Sequence, residues 1–147
     1  MNIQMPSSSA PRWFFALLLG ITLAGFGAGL SSCASAQFSQ AALDNSVSLG
    51  KDLPALMNKA TKAYSENETE ANALLAKVND AYTLASSFKK NKDISEQWRI
   101  LRDDLVQPFL TRWKEKGKLD KDFVKPAAEQ VKSALAAIER AERAKPK

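Results

Sequence analysis

Residues 52–90 read DLPALMNKATKAYSENETEANALLAKVNDAYTLASSFKK, and apolar or small side chains recur at Leu53, Met57, Ala60, Tyr64, Asn67, Ala71, Leu74, Val78, Ala81, Ala85 and Phe88. The steps alternate between four and three throughout, which is the period of one face of an α-helix. Asp52 is placed to cap the start, Pro54 falls in the first turn where its missing N–H costs little, and Lys89 and Lys90 follow where the helix dipole favours cations. The one interruption is Ser65-Glu66-Asn67-Glu68-Thr69-Glu70. Ser65 and Glu68 have capping-box spacing and Asn67 puts an amide into the seam, so a second helix could begin there. No Gly or Pro enforces that break, and the spacing predicts one helix of about 57 Å at 1.5 Å per residue, with two shorter helices as the alternative.

Toward the C-terminus, Asp93 and Glu96 have the spacing of a reciprocal cap. They precede an apolar face made of Ile94, Trp98, Leu101, Leu105, Phe109 and Trp113, and Gly117 marks the end of that helix. Pro108 lies inside this pattern, deprives the Asp104 carbonyl of its helical partner, and predicts a kink. A further helix opens at Asp120, flanked by Leu119 and Val124 as a hydrophobic staple. It runs through Val131, Leu135 and Ile138 to about Ala144, with Pro126 hinting that regular bonding starts nearer Lys125. No stretch alternates with period two, so no sheet is expected. The fold class read from this pattern is all-α: an antiparallel three-helix bundle with a long first helix, or four helices if the first breaks near Ser65. Tyr64, Tyr82, Phe88, Trp98, Phe109, Trp113 and Phe123 are expected to supply much of its core, because many seam positions are Ala.

Moving toward the N-terminus, residues 34–51 (ASAQFSQAALDNSVSLGK) are rich in Ala, Ser and small polar groups and read as a flexible tether, with a short helix near Gln40 to Asp44 as an option. Before them, residues 14–30 (FFALLLGITLAGFGAGL) form an uncharged run that follows a polar segment whose only charged side chain is Arg12. This is the layout of a signal peptide. The run falls short of the ~20 apolar residues of a spanning helix, and Gly20, Gly25, Gly27 and Gly29 weaken it as one. The expected organisation is a signal peptide over 1–32, a lipidated N-terminus and tether over 33–51, and a bundle domain over 52–147.

Leu30-Ser31-Ser32-Cys33 follows that run directly, and here the sequence resembles the lipobox of bacterial lipoproteins: a branched apolar residue, two small residues, then cysteine. The resemblance covers the first 33 residues. It implies that the Cys33 thiol receives a diacylglyceryl group, that a peptidase cuts just before it, and that Cys33 becomes the mature N-terminus. Ala34 in second place is similar to the outer-membrane pattern rather than to an aspartate-type retention signal. The partner so implied is a membrane, reached through acyl chains that each contribute ~0.8 kcal/mol per buried methylene. Ala34-Ser35-Ala36 is itself an A-x-A cleavage site, so a soluble secreted protein starting at Gln37 is the competing expectation. A structural role for Cys33 fits poorly, since its neighbours offer no apolar periodicity.

The chain of 147 residues has no histidine, one cysteine and a net charge of +5, with Arg12 the only charged side chain before Cys33. That composition removes imidazole acid/base chemistry, His-bearing metal sites, thiol dyads and any intramolecular disulfide. Asp103 and Asp104 are paired carboxylates, but helical neighbours project about 100° apart, and Arg99 and Arg102 upstream favour surface ion pairing. Glu66, Glu68 and Glu70 lack the loop architecture of a calcium hand. Trp98 and Trp113 beside Arg99, Arg102 and Arg112 have the composition of a stacking platform for bases or sugars, yet their spacing puts both rings on the buried face. The basic loops Lys89-Lys90-Asn91-Lys92 and Lys114-Glu115-Lys116-Gly117-Lys118 suit either helix C-termini or phosphate headgroups. Neither metal, cofactor nor nucleic acid is expected as a partner, and no enzyme is expected.

Three functions fit these observations. The first is a membrane-anchored envelope lipoprotein whose helical domain is a non-enzymatic interaction or structural module for an envelope protein partner. The second is a periplasmic carrier of a small apolar ligand or lipid, held in a pocket bounded by Ala71, Leu75, Leu105 and Phe109. The third is a coiled-coil envelope protein that associates with itself through the long seam. The expected location is the cell envelope, at the periplasmic face of the outer membrane rather than the inner membrane.

Overall fold

The computed structural model describes residues 36–147, which fold as four helices with no strand among them. Leu30, Ser31, Ser32, Cys33 and the apolar run before them lie outside the described residues. No helix among the described residues is long and apolar enough to cross a membrane.

Helix α1 spans Gln40–Asn58, so most of the stretch expected as tether belongs to the folded body. Ser39 in extended conformation caps it, its hydroxyl accepting from the Ala42 N–H at 3.3 Å, which displaces Asp52 from the capping role expected of it. Ala42, Leu43, Ser46, Leu49, Leu53, Leu56 and Met57 form its buried stripe. Two of those positions are small or polar. Ser46 is tolerated inside because its hydroxyl donates to the Leu43 carbonyl at 2.7 Å. Gly50, which read as a tether residue, is helical and faces the Cβ of Leu135.

The long continuous helix does not form. Short 3₁₀ turns at Lys59–Thr61 and Tyr64–Glu66 intervene, and α2 spans Glu68–Ser87. The Ser65–Glu68 box is not used: Asn67 opens α2, and its amide donates to the Ala63 carbonyl instead. What holds the break open is distant in sequence. The Tyr64 N–H donates to Gly117 O and the Leu119 N–H to Ala60 O, both at 2.8 Å, so groups that would have served a continuous helix are committed elsewhere.

Helix α3 is α-helical over Lys92–Arg99, π-helical over Ile100–Val106 and α-helical again over Gln107–Lys116. Asp93 does not cap it, and Glu96 pairs with Arg99 rather than reciprocating. The π stretch ends two residues before Pro108, with the Gln107 N–H reaching back five residues to Arg102 O. The widened turn relieves the clash between the proline ring and the Asp104 carbonyl. It also turns the apolar face, so Leu105 is half-buried while Val106 is buried in its place. Gly117 ends α3 at φ 72°.

Helix α4 spans Lys121–Arg143, beginning four residues before Lys125, and buries Val124, Ala128, Val131, Leu135, Ile138 and Glu142. Helix α1 lies against α2 and α4, and α3 lies against the same two. The core contains Trp98 and Trp113 at 0% exposure, with Ala60, Ala71, Ala81, Ala85 and Ala128 between helices where a small side chain lets backbones approach. Phe123, expected inside, is exposed: it stacks on Phe109 at 5.9 Å, with the Arg112 guanidinium over it at 4.4 Å. The core cluster runs from Leu49 to Ile138.

Candidate functional site

The chain concentrates its polar chemistry at the two ends of the helices and along one face of α3. At the first end, the α1–α2 and α3–α4 connections lie side by side. Besides the two backbone bonds between them, the Trp113 indole N–H donates to Lys62 O at 3.0 Å. Tyr64 packs edge-on against that indole, centroids 5.3 Å apart at 87°. A surface cleft of about 610 Å³ opens beside them, walled by Tyr64, Ser65, Glu68, Lys114, Lys116 and Lys118. The Lys114 ammonium donates to Glu68 at 3.1 Å, which raises its pKa above the ordinary lysine value, with the negative field of Glu68 adding to the effect. The cleft is rimmed by cations and offers charge recognition. No histidine or cysteine stands among the residues lining it.

Along α3, Arg102 grips Asp103 with Nε at 2.6 Å and Nη2 at 3.0 Å, and its guanidinium lies over the Tyr82 ring at 4.0 Å. Arg99 binds Glu96 at 2.8 Å and reaches Asp103 at 3.8 Å and Asp104 at 3.6 Å. These hydrogen bonds hold the Asp103 and Glu96 carboxyls below their usual values, the first through Arg102 and the second through Arg99. Arg99 and Arg102 thus tie Glu96, Asp103 and Asp104 into one ion-pair network along this helix face.

The second end gathers the start of α1, the α2–α3 turn and the residues after α4. Asn91, 2% exposed, donates its amide to Ala85 O at 2.8 Å, and the Ser95 hydroxyl donates to the same carbonyl at 3.0 Å. Lys90, one residue earlier, sits in the left-handed region at φ 63°. Glu142 and Lys145 are an ion pair at 2.7 Å with side chains 0% and 5% exposed. Their charges are taken out of water almost completely. The Lys145 ammonium lies 5.9 Å from the centre of the Phe88 ring, and the Lys147 ammonium 5.6 Å from that of Phe38.

Trp98 and Trp113 are core residues and present no stacking platform. Glu68 and Glu70 are bound to Lys114 and Lys59, and the described residues contain no cluster of three or more His, Cys, Asp or Glu suited to a metal ion. The four residues expected to bound one apolar pocket are separated. Leu75 lines a groove between α2 and α3, Leu105 and Phe109 line another of about 180 Å³ between α3 and α4, and Ala71 is packed into the core. The buried pair was missed by sequence reasoning, although the signal existed: from Val131 the seam steps four, three and four through Leu135 and Ile138 to Glu142. No protein-family model, curated protein or solved structure matches the chain.

Proposed function

We propose that this chain is a lipid-anchored protein of the bacterial cell envelope, acylated on Cys33, whose helices form a non-enzymatic module for an envelope partner. The observation that carries the reading is the position of the chain's only cysteine, directly after Leu30-Ser31-Ser32 and an uncharged run of signal-peptide layout. Two acyl chains make such anchoring stable where one is marginal. Ala34 supports placement at the periplasmic face of the outer membrane.

A module for a partner is favoured over a carrier of apolar ligands by the character of the grooves. The one holding Leu105 and Phe109 has about 180 Å³, below the roughly 300–1,000 Å³ of sites for drug-sized ligands, and the larger clefts of about 610 and 730 Å³ are walled mainly by charged and polar side chains such as Glu68, Lys114 and Lys118 in the first and Asp120, Lys121 and Glu129 in the second. A non-enzymatic role is supported by a chain without histidine, in which Asp103 is held as a salt by Arg102.

Mass spectrometry of the mature N-terminus tests the anchor. A lipid-sized adduct on Cys33, lost in Cys33→Ser together with membrane retention, is expected. An unmodified N-terminus at Gln37 overturns the reading. Cross-linking in intact envelopes tests the module, with one specific protein captured above background as the expected result.

A further inference from the structure

The geometry points to the second end of the bundle, formed by Phe38, Phe88, Lys89, Lys90, Lys92 and Lys147, as a docking surface for an anionic lipid bilayer. This rests on the lipid-anchor reading for its distance to a membrane, and on the placement of charge and rings for its chemistry.

Cys33 is separated from the Ser39 cap only by Ala34–Phe38. At ~3.3–3.6 Å per residue that stretch can reach at most about 20 Å. Helix α1 runs for 19 residues, or about 28 Å, between Ser39 and the connection beside Tyr64, so an anchor at Cys33 is tied to the end holding Ser39 and not to the cleft beside Tyr64. Charges at the near end fall within one to two Debye lengths of the headgroups.

Those charges are arranged for such a surface. Lys89, Lys90, Lys92 and Lys147 are exposed, and none forms an ion pair among the described residues. Of the carboxylates on the elements meeting here, Glu142 is bound to Lys145 and Glu139 to Arg143, while Asp44 accepts from the Gln40 amide and Asp93 lies in the first turn of α3. Phe38 and Phe88 are half-buried rings at the same end, and aromatic rings flanked by lysines suit the headgroup boundary. Lys90, at φ 63°, is exposed in the turn between α2 and α3, beside Lys89. The Glu142–Lys145 pair is buried at this end, and two residues on the Lys147 ammonium lies 5.6 Å from the centre of the Phe38 ring.

The test uses residues 33–147 with Cys33→Ser, a segment holding the entire core from Leu49 to Ile138. Its affinity is measured on vesicles of phosphatidylcholine with and without 30% phosphatidylglycerol. Binding to the anionic vesicles alone is expected, falling roughly fivefold for each of Lys89, Lys90, Lys92 and Lys147 changed to Gln. Equal changes at Lys62, Lys116, Lys118 and Lys121, at the opposite end, are expected to leave it within twofold. Equal losses from both sets, or no preference for anionic vesicles, overturn the proposal. Because this segment has no acylation site, the outcome is independent of whether Cys33 is lipidated. The acylated full-length protein in nanodiscs gives a second readout: amide exchange over 85–92 slows in anionic discs relative to zwitterionic ones, and equal rates overturn the docking.

Discussion

At the end where α1 meets α2 and α3 meets α4, backbone groups close the bundle, whereas at the opposite end side chains do. The first closure uses the Tyr64 and Leu119 N–H groups on the carbonyls of Gly117 and Ala60. The second uses Asn91 and Ser95 on one carbonyl of α2, and a buried Glu142–Lys145 pair. Backbone closure is indifferent to which side chains surround it, so substitutions there spread their effect thinly. Side-chain closure concentrates it on a few residues.

The sharpest way to break this contrast is Lys145→Met, which leaves the Glu142 carboxylate buried without its partner. Removing one member of a buried pair costs about 3–5 kcal/mol, and the low end is expected because the last turn of α4 can unwind. The double variant Glu142→Leu/Lys145→Met is expected to return to within about 1 kcal/mol of the parent in urea unfolding. Equal losses for the single and double variants would show that the pair is not what closes this end.

Trp113→Phe comes next. It leaves Lys62 O without its donor and should cost about 1–3 kcal/mol. Hydrogen exchange at the Tyr64 and Leu119 amides should remain slow, since their own acceptors are untouched. Rapid exchange there would mean that the indole, and not the backbone, holds the connections together.

Lys90→Gly should stabilise the fold by up to about 1 kcal/mol, read as a rise in melting temperature, because glycine adopts φ 63° without strain. A fall would show that the lysine side chain itself supports the turn. The smallest effect is expected for Glu68→Gln at the backbone-closed end. Lys114, raised by Glu68, contributes stability that is fully present below its unfolded pKa and is lost as pH rises through the folded value. The variant should therefore differ from the parent below the lysine range and converge with it at high pH, as followed by unfolding midpoints across alkaline pH.

The inward faces of the helices were legible in the sequence because burial imposes a period. Ala71, Leu74, Val78, Ala81 and Ala85 are all inside, as their spacing predicts. The same seam hid the break after Asn58. Ala60 and Tyr64 stay buried through the two 3₁₀ turns, so the four-three rhythm continues where the helix does not. The groups that force the break, Gly117 and Leu119, are distant in sequence and act through backbone atoms, which leave no trace in side-chain patterning. Helix α1 escaped because its stripe passes through Ser46 and beside Gly50, small residues that suit close contact with α4 but read as linker. Of the candidate sites, the pairing of Arg99 and Arg102 with Asp103 and Asp104 was legible from their closeness in sequence, whereas Glu96, expected in a cap, is taken by Arg99. The buried pair was not, because a charged residue on an apolar seam is ordinarily taken as the point where the seam ends.

The π stretch over Ile100–Val106 has a consequence for how this chain tolerates changes of length. Bonding that reaches back five residues stores one residue beyond what an α-helical turn would hold. Deleting a single residue there should let the segment relax to α pitch, with Trp98 and Trp113 keeping their inward phase, whereas the same deletion in α4 would rotate Leu135 and Ile138 out of the core. The middle of α3 is thus the place in this bundle where an evolutionary deletion is absorbed rather than transmitted.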